Sequence, residues 1–401
     1  MAKTKKTTAP VSAHRLWSGE KLYFKGDDYF RDVLNAIRRA RSQVDFEVYI
    51  FDQGVLGNRV VSALVQAAKR GIQVRLLVDG IGSPHCASEY GPRLEKGGVQ
   101  FRVYRRFPPF FSLFSRLFGS LFSGKTAHRM RSFWFRVKRR NHRKLVIVDE
   151  TQVWLGGFNV SDLHLESLNG LKAWRDTGLG LSGVRDQAFR LAFQTAWHDR
   201  YHRRQWKLFR AQLIEWLVRK TSLNHVQINA TRKLRSYFHR EMLERLGTVR
   251  RRIWVTTPYF VPTLPLYRAL IQAALRGMDV RLVLPEESDV PFVRWASMTF
   301  FLPLLEAGCR IFEYRKRVLH AKTLVVDDWA LVGSSNFNHR SFLFDLEVDV
   351  ALQGAASRKA LERQYASDFK QSLEIHVSDL KIRPRSIRFL SWLFFRLRHW
   401  I

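Results

Sequence analysis

An internal duplication constrains this chain more than any other feature. Residues 63–78 read ALVQAAKRGIQVRLLV and residues 269–284 read ALIQAALRGMDVRLVL, with ten of the sixteen positions identical at an offset of 206. Each copy is an Ala/Leu-rich helical pattern closed by Arg-Gly and followed by an alternating, strand-like run. Strand patterns also precede both copies, at residues 44–50 and 253–256. The match continues downstream, where residues 98–104 echo residues 308–314 at an offset of 210. Strand–helix–strand order in both copies predicts an α/β fold of two similar domains, each a mixed sheet flanked by helices.

The expected organisation is a flexible basic arm over residues 1–14, a first domain over 15–200 and a second over 223–375. A basic amphipathic linker at 201–222 joins them, and a basic aromatic tail covers 376–401.

Both copies carry the same polar signature. The first contains His142, Lys144 and Asp149 in the order H-x-K-x4-D, then Gly156 and Asn159; the second contains His320, Lys322 and Asp327, then Gly333 and Asn336. One such match is a weak signal, whereas two, each inside the repeat and each with a Gly-x-x-Asn suffix, are a strong one. His and Lys two apart on a strand point to one face, so an imidazole and an ammonium meet the same anion. The apolar runs LVIV and TLVV then read as buried strand bodies, and Gly with Asn as closing a tight turn.

The motifs resemble the paired signatures of the phospholipase D superfamily, and the resemblance runs through residues 15–370. Within it the chain is similar to bacterial cardiolipin synthases of the short type without N-terminal spanning helices. Supporting segments include Trp174-Arg175-Asp176, Pro258-Tyr259-Phe260 and Phe312-Glu313-Tyr314. The hairpin spacing departs slightly, with five residues between Asp327 and Gly333 against six between Asp149 and Gly156.

The resemblance implies two phospholipase D-like domains with the active site between them. It also implies phosphatidyl transfer from one phosphatidylglycerol to another, giving cardiolipin and glycerol through a phosphohistidine. One neutral histidine attacks phosphorus while the other, protonated, gives its proton to the leaving alkoxide. By resemblance His142 is the nucleophile and His320 the acid. Lys144, Lys322, Asn159 and Asn336 would cradle the phosphoryl oxygens, and Asp176 and Glu347 would orient the histidines. Asp149 and Asp327 complete the catalytic motif set, and their place at the strand ends suits bracing the turn and the lysine more than touching substrate. No carboxylate cluster or His/Cys spacing suits a catalytic metal, so the reaction is expected to need neither metal nor cofactor.

What the site acts on rests on charge and on one insertion. The 68 Lys+Arg outnumber the 35 Asp+Glu by 33, which points to a polyanionic partner, either nucleic acid or an anionic membrane. Between Tyr104 and His142 lie 32 more residues than between Tyr314 and His320. They include FPPFFSLFSRLFGSLFSGK, whose helical stripe of Phe and Leu reads as an interfacial membrane helix in preference to a core helix. That stripe favours phosphatidylglycerol and an anionic membrane surface over nucleic acid. The acceptor pocket has no legible motif, so water, ethanolamine and serine stay open as acceptors.

No stretch reads as a spanning helix, and the basic N-terminus has no apolar run behind it. Two cysteines fit a reducing compartment. The expected location is the cytoplasmic face of the bacterial inner membrane, as a peripheral protein.

Overall fold

A computed structural model describes residues 15–106, 139–198 and 225–382. The expected arm, the apolar insert at 107–122, the linker at 201–222 and residues 383–401 of the tail lie outside them.

The first seven strands are β1 (Gly19–Tyr23), β2 (Gln43–Val48), β3 (Gln73–Asp79), β4 (Gln100–Tyr104), β5 (Leu145–Val148), β6 (Gln152–Gly156) and β7 (Gly178–Ser182). They form one mixed sheet in the order β1-β7-β6-β5-β2-β3-β4. The second half supplies β8 (Val226–Ile228), β9 (Arg252–Thr256), β10 (Asp279–Pro285), β11 (Arg310–Tyr314), β12 (Thr323–Val326), β13 (Trp329–Gly333), β14 (Val348–Ala351) and β15 (Ser372–Ile375). Its order, β15-β11-β10-β9-β12-β13-β14-β8, repeats the first with one extra antiparallel strand at the edge.

The repeated segments fold alike because their local signals agree. Helices Val55–Lys69 and Leu264–Leu275 each end before a glycine in the left-handed region, Gly71 at φ 84° and Gly277 at φ 83°. Only glycine adopts that conformation without Cβ strain, so each helix stops there and the chain turns into β3 or β10. β2 and β3 then pair in parallel, as do β9 and β10.

The two sheets face one another across a shared core holding Leu145, Leu155 and Phe193 from one half and Phe312, Val332 and Tyr365 from the other. Separate cores on the outer faces bury the helices Gly26–Arg39 and Val55–Lys69 on one sheet, and Arg232–Gly247 and Leu264–Leu275 on the other. Cys86 and Cys309 belong to these opposite outer cores and are both free.

Two cross-connections fix the halves at the level of the motifs. The segment before β5 bridges to the segment before β14, with the His142 N–H donating to Leu346 O at 3.0 Å and the Leu346 N–H to Arg140 O at 2.8 Å. The mirror-related bridge joins the segments before β7 and β12, with the Arg175 N–H donating to Val318 O at 2.9 Å and the His320 N–H to Arg175 O at 2.8 Å. The motif-bearing edges of the two sheets therefore meet.

Candidate active site

The His-x-Lys pairs stand just ahead of β5 and β12, one step short of the regular ladders in which the sequence pattern put them. These extended lead-ins keep the period of two, and each lysine folds back on its own motif. Lys144 Nζ donates to His142 O at 2.7 Å, and Lys322 Nζ donates to His320 O. All four side chains are buried.

The orienting carboxylates are exchanged between the halves. His142 Nδ1 lies 3.0 Å from Glu347 Oε1, and His320 Nδ1 lies 2.6 Å from Asp176 Oδ2. Asp176 stands two residues before β7 and Glu347 one before β14, so the bridges that join the halves also carry each carboxylate to the opposite histidine. With Nδ1 engaged, Nε2 is the ring nitrogen left for chemistry on both histidines.

Electrostatics then separate the two histidines. Burial lowers the pKa of His142 well below its ordinary value, and the charges of Lys144 and Lys322 push it further. Burial and Lys322 also lower His320, but the charge and hydrogen bond of Asp176 oppose them. Burial brings Lys144 down to about 7 and Lys322 to about 8. Burial alone would raise Asp176, yet Lys322 and His320 outweigh it and hold the carboxyl at about 2. Glu347 is the reverse case, since burial pushes it up to about 7 against Lys144 and the hydroxyls of Ser334 and Ser341. Those hydroxyls donate to its two oxygens at 2.6 and 2.7 Å.

The asparagines are buried near the same centre. Asn159 Oδ1 accepts the Ile50 N–H at 3.1 Å, which fixes its amide. The Asn336 side chain makes no hydrogen bond among the described residues, and it lines a cavity with Lys322, Ser335 and Asp349. Both amides can therefore donate to a phosphoryl oxygen.

Asp149 and Asp327 are placed elsewhere. Each sits in the left-handed region at the hairpin turn, at φ 49° and 51°, a conformation that Asp tolerates better than most residues. Asp149 accepts the backbone N–H groups of Arg41, Ser42 and Gln43, and Asp327 those of Arg250, Arg251 and Arg252. Each lies seven steps of extended chain beyond its histidine, roughly 23 Å at about 3.3 Å per residue. They brace the start of β2 and of β9, and neither touches the motif lysine. The hairpin difference seen in the sequence lies at this far end, where β5 and β6 are joined by three residues and β12 and β13 by two.

The glycines do not make the turn. Gly156-Gly157 and Gly333 close the second strand of each hairpin, where a Cβ on Gly157 would stand 1.9 Å from Asp176 Oδ1 and one on Gly333 2.0 Å from Asp349 Oδ1. Close approach of a carboxylate is what excludes a side chain at both places.

Several neighbours had no site role assigned from the sequence, although Trp174 and Tyr259 stood in the segments that carried the resemblance. Tyr49 packs edge-on to His142 at 4.9 Å and Tyr259 to His320 at 6.4 Å; their spacing of 210 matched the repeat and was the available signal. Trp174 lies 5.3 Å from the His320 ring. His164, which no motif marked, comes within reach of Asp176 and His320, with ligand atoms inside 4.8 Å of one another. Such a trio can hold a metal ion, but the Lys322 ammonium stands 3.0 Å from His320 Nδ1 and sets like charge against a cation.

A duplicated α/β fold that joins two His-x-Lys pairs at one buried centre defines a phospholipase D-like protein. A family described as cardiolipin synthase, PLD-like domain, matches residues 33–169 and 242–372, and the chain belongs to it. Relatives include cardiolipin synthase 2 of Bacillus cereus, 33% identical over 355 residues, covering 88% of this chain and 64% of the relative. The major cardiolipin synthase ClsA of Bacillus subtilis is 29% identical over 364 residues, covering 90% and 71%. The chain thus spans just under two thirds of the Bacillus cereus protein. Among solved structures, the phosphatidylserine synthase of Haemophilus influenzae superposes with a TM-score of 0.65 at 13% identity, over 95% of this chain and 93% of that one. Polyphosphate kinase of Porphyromonas gingivalis gives 0.51 at 12% identity over 86% and 49%. These two likenesses speak to the fold alone.

Proposed function

We propose that this chain transfers a phosphatidyl group from one phosphatidylglycerol to the hydroxyl of a second, forming cardiolipin and releasing glycerol. The carrying observation is the crossed pairing of His142 with Glu347 and His320 with Asp176 around two buried lysines. A phosphodiester needs a nucleophile, an acid and positive charge for its equatorial oxygens, and this centre holds all three. The acceptor is inferred from the relatives' names.

In the first half-reaction His142 Nε2 attacks phosphorus, the bond from phosphorus to the glycerol oxygen breaks, and His320 Nε2 gives its proton to that oxygen. In the second, the acceptor hydroxyl returns a proton to His320 and its oxygen bonds phosphorus as the P–N bond breaks. His142 suits the nucleophile because it is the more strongly depressed of the two, and Asp176 favours the proton on His320. A bound phosphodiester anion offsets the lysines that lower His320 in the empty site, so substrate itself promotes the acid form.

The site is read as facing a membrane. Ile81, Leu163, Leu168, Leu171, Leu264 and Leu343 are exposed, and all lie in segments that leave the histidine end of β3, β6, β9 or β13. An apolar rim on a chain with an excess of 33 basic residues suits an anionic bilayer surface, with the cytoplasmic face of the inner membrane as the proposed location. No described helix is long and apolar enough to cross a membrane.

The decisive experiment incubates the purified protein with phosphatidylglycerol vesicles and identifies the products by mass spectrometry. Cardiolipin and glycerol are expected, with His142→Ala and His320→Ala each reduced by about 10²-fold or more. Hydrolysis to phosphatidate without cardiolipin would leave a phospholipase. Inertness toward lipid with cleavage of single-stranded DNA would make the protein a nuclease.

A further inference from the structure

The two halves differ in one feature of the site that the repeat does not explain. In the second half Tyr259 follows β9 and Asp289 follows β10, and these strands are neighbours in parallel register. The Tyr259 hydroxyl donates to Asp289 Oδ2 at 2.6 Å, while the Tyr259 ring packs edge-on to His320. Asp289 is exposed, and its other oxygen accepts no hydrogen bond among the described residues. Its charge is felt at both His320 and Lys322.

Among the described residues the first half has no such group. Tyr49 occupies the position of Tyr259, but the carboxylate at that end of β3 is its last residue, Asp79, which is fully buried and consumed. Asp79 Oδ1 accepts from Ile81 N, Gly82 N and the Arg140 guanidinium, and Oδ2 from Asn141 N. A half-engaged carboxylate therefore stands only on the His320 side among the described residues.

We propose that Asp289, held by Tyr259, is the subsite that recognises the hydroxyls of a polyol head group, selecting glycerol-bearing alcohols as leaving group and acceptor. This inference rests on the proposed phosphatidyl transfer. His320 exchanges a proton with the alcohol oxygen in both half-reactions, so the alcohol lies on its side of phosphorus, opposite His142. A carboxylate is acceptor-only and repels the phosphate, which assigns it to a hydrogen-bond donor. Donors of two kinds exist in phospholipid head groups, hydroxyls and ammonium groups. Lys322 and Lys144 already make the centre cationic, so an ammonium meets like charge there and a neutral polyol does not. The hydroxyl of Tyr259 fixes one oxygen of Asp289 and leaves the other to accept from a glycerol hydroxyl.

The test uses the full chain with phosphatidylglycerol vesicles as donor and deuterated glycerol, ethanol and ethanolamine added together as competing acceptors. Mass spectrometry reads labelled phosphatidylglycerol, phosphatidylethanol and phosphatidylethanolamine, and their ratios do not depend on how fast the phosphohistidine forms. Asp289→Ala should lower the glycerol-to-ethanol product ratio by about tenfold or more, the usual effect of losing a hydrogen bond to a charged group. Asp289→Asn, which keeps the shape and one acceptor oxygen, should lower it less, and Tyr259→Phe should lower it in the same direction. Thermal transitions identify any variant that has lost its fold, and the ratio in the remaining ones decides. An unchanged ratio overturns the subsite, and a selective loss of the ethanolamine product instead makes it an amine site and also overturns it. Wild type that forms neither cardiolipin nor any of the three labelled products sinks the transfer reaction itself, a separate failure.

Discussion

Asp176 and Glu347 each hold the Nδ1 of a histidine, yet they ionise differently because their neighbours differ. Asp176 lies against Lys322 and His320 and stays a carboxylate down to about 2, so its support of His320 is constant through the working range. Glu347 ionises only near 7, because burial costs more there than Lys144 and two serine hydroxyls return. The sign follows directly: as pH falls below about 7, Glu347 takes a proton and His142 loses the carboxylate that orients its ring for the proposed attack. As pH rises, Lys144 loses its charge near 7 and Lys322 near 8, and the proposed cradle for the phosphoryl oxygens loses both cations. The rate constant kcat/KM on a short-chain, water-soluble phosphodiester should therefore follow a narrow bell, with its acid limb set by Glu347 and its alkaline limb by Lys144 and Lys322. Glu347→Gln should lower the maximum by about 10²-fold and flatten the acid limb while the alkaline limb stays. An acid limb unchanged in that variant would assign it to another group.

Elements built from local signals are the ones the sequence revealed. The helices, their terminal glycines and the strands that follow were legible because periodicity and a left-handed Gly71 or Gly277 act over a few residues. The hairpin glycines were misread as turn formers because their cause is non-local: Gly157 is small to admit Asp176, nineteen residues further on. Asp149 and Asp327 likewise matched the motif, but their partners are backbone N–H groups of a loop more than 70 residues away in either case. The loops beyond the strand ends make a claim of their own, since Leu171 is 87% exposed and Leu168, three residues before it, is exposed as well. If this rim meets the bilayer, Leu168→Ser with Leu171→Ser removes apolar burial worth roughly 1.5–3 kcal/mol per leucine when transfer is complete, and less at an interface. Vesicle flotation should show weaker binding whose remainder is abolished by salt, and cleavage of the soluble diester should persist. Binding at the wild-type level would remove these loops from the membrane surface.

At the scale of the molecule, the duplication announced two equal halves but not that neither is complete. Nothing in a single sequence says that Glu347 serves His142, because both pairings of two carboxylates with two histidines satisfy the same spacing. The crossing follows from the bridges at Leu346 and Arg175, and it is locked by polar contacts between halves. Arg175 grips Asp368 at 2.6 and 3.3 Å in a buried two-point pair, and Glu20 accepts the Gln353 and Gly354 N–H groups at the start of helix Ala355–Lys370. With one shared core and exchanged carboxylates, the halves should unfold together. Asp368→Ala leaves the Arg175 guanidinium buried without its carboxylate, a change that typically costs about 3–5 kcal/mol. Because the Arg175 backbone accepts the His320 N–H and carries Asp176, that loss reaches the chemistry as well. Calorimetry of Asp368→Ala should show one transition moved to lower temperature, with phosphatidyl transfer reduced below the point where the protein remains folded. Two separated transitions, or a destabilised protein with full turnover, would show that the halves stand independently and that the crossed pairs do not couple them.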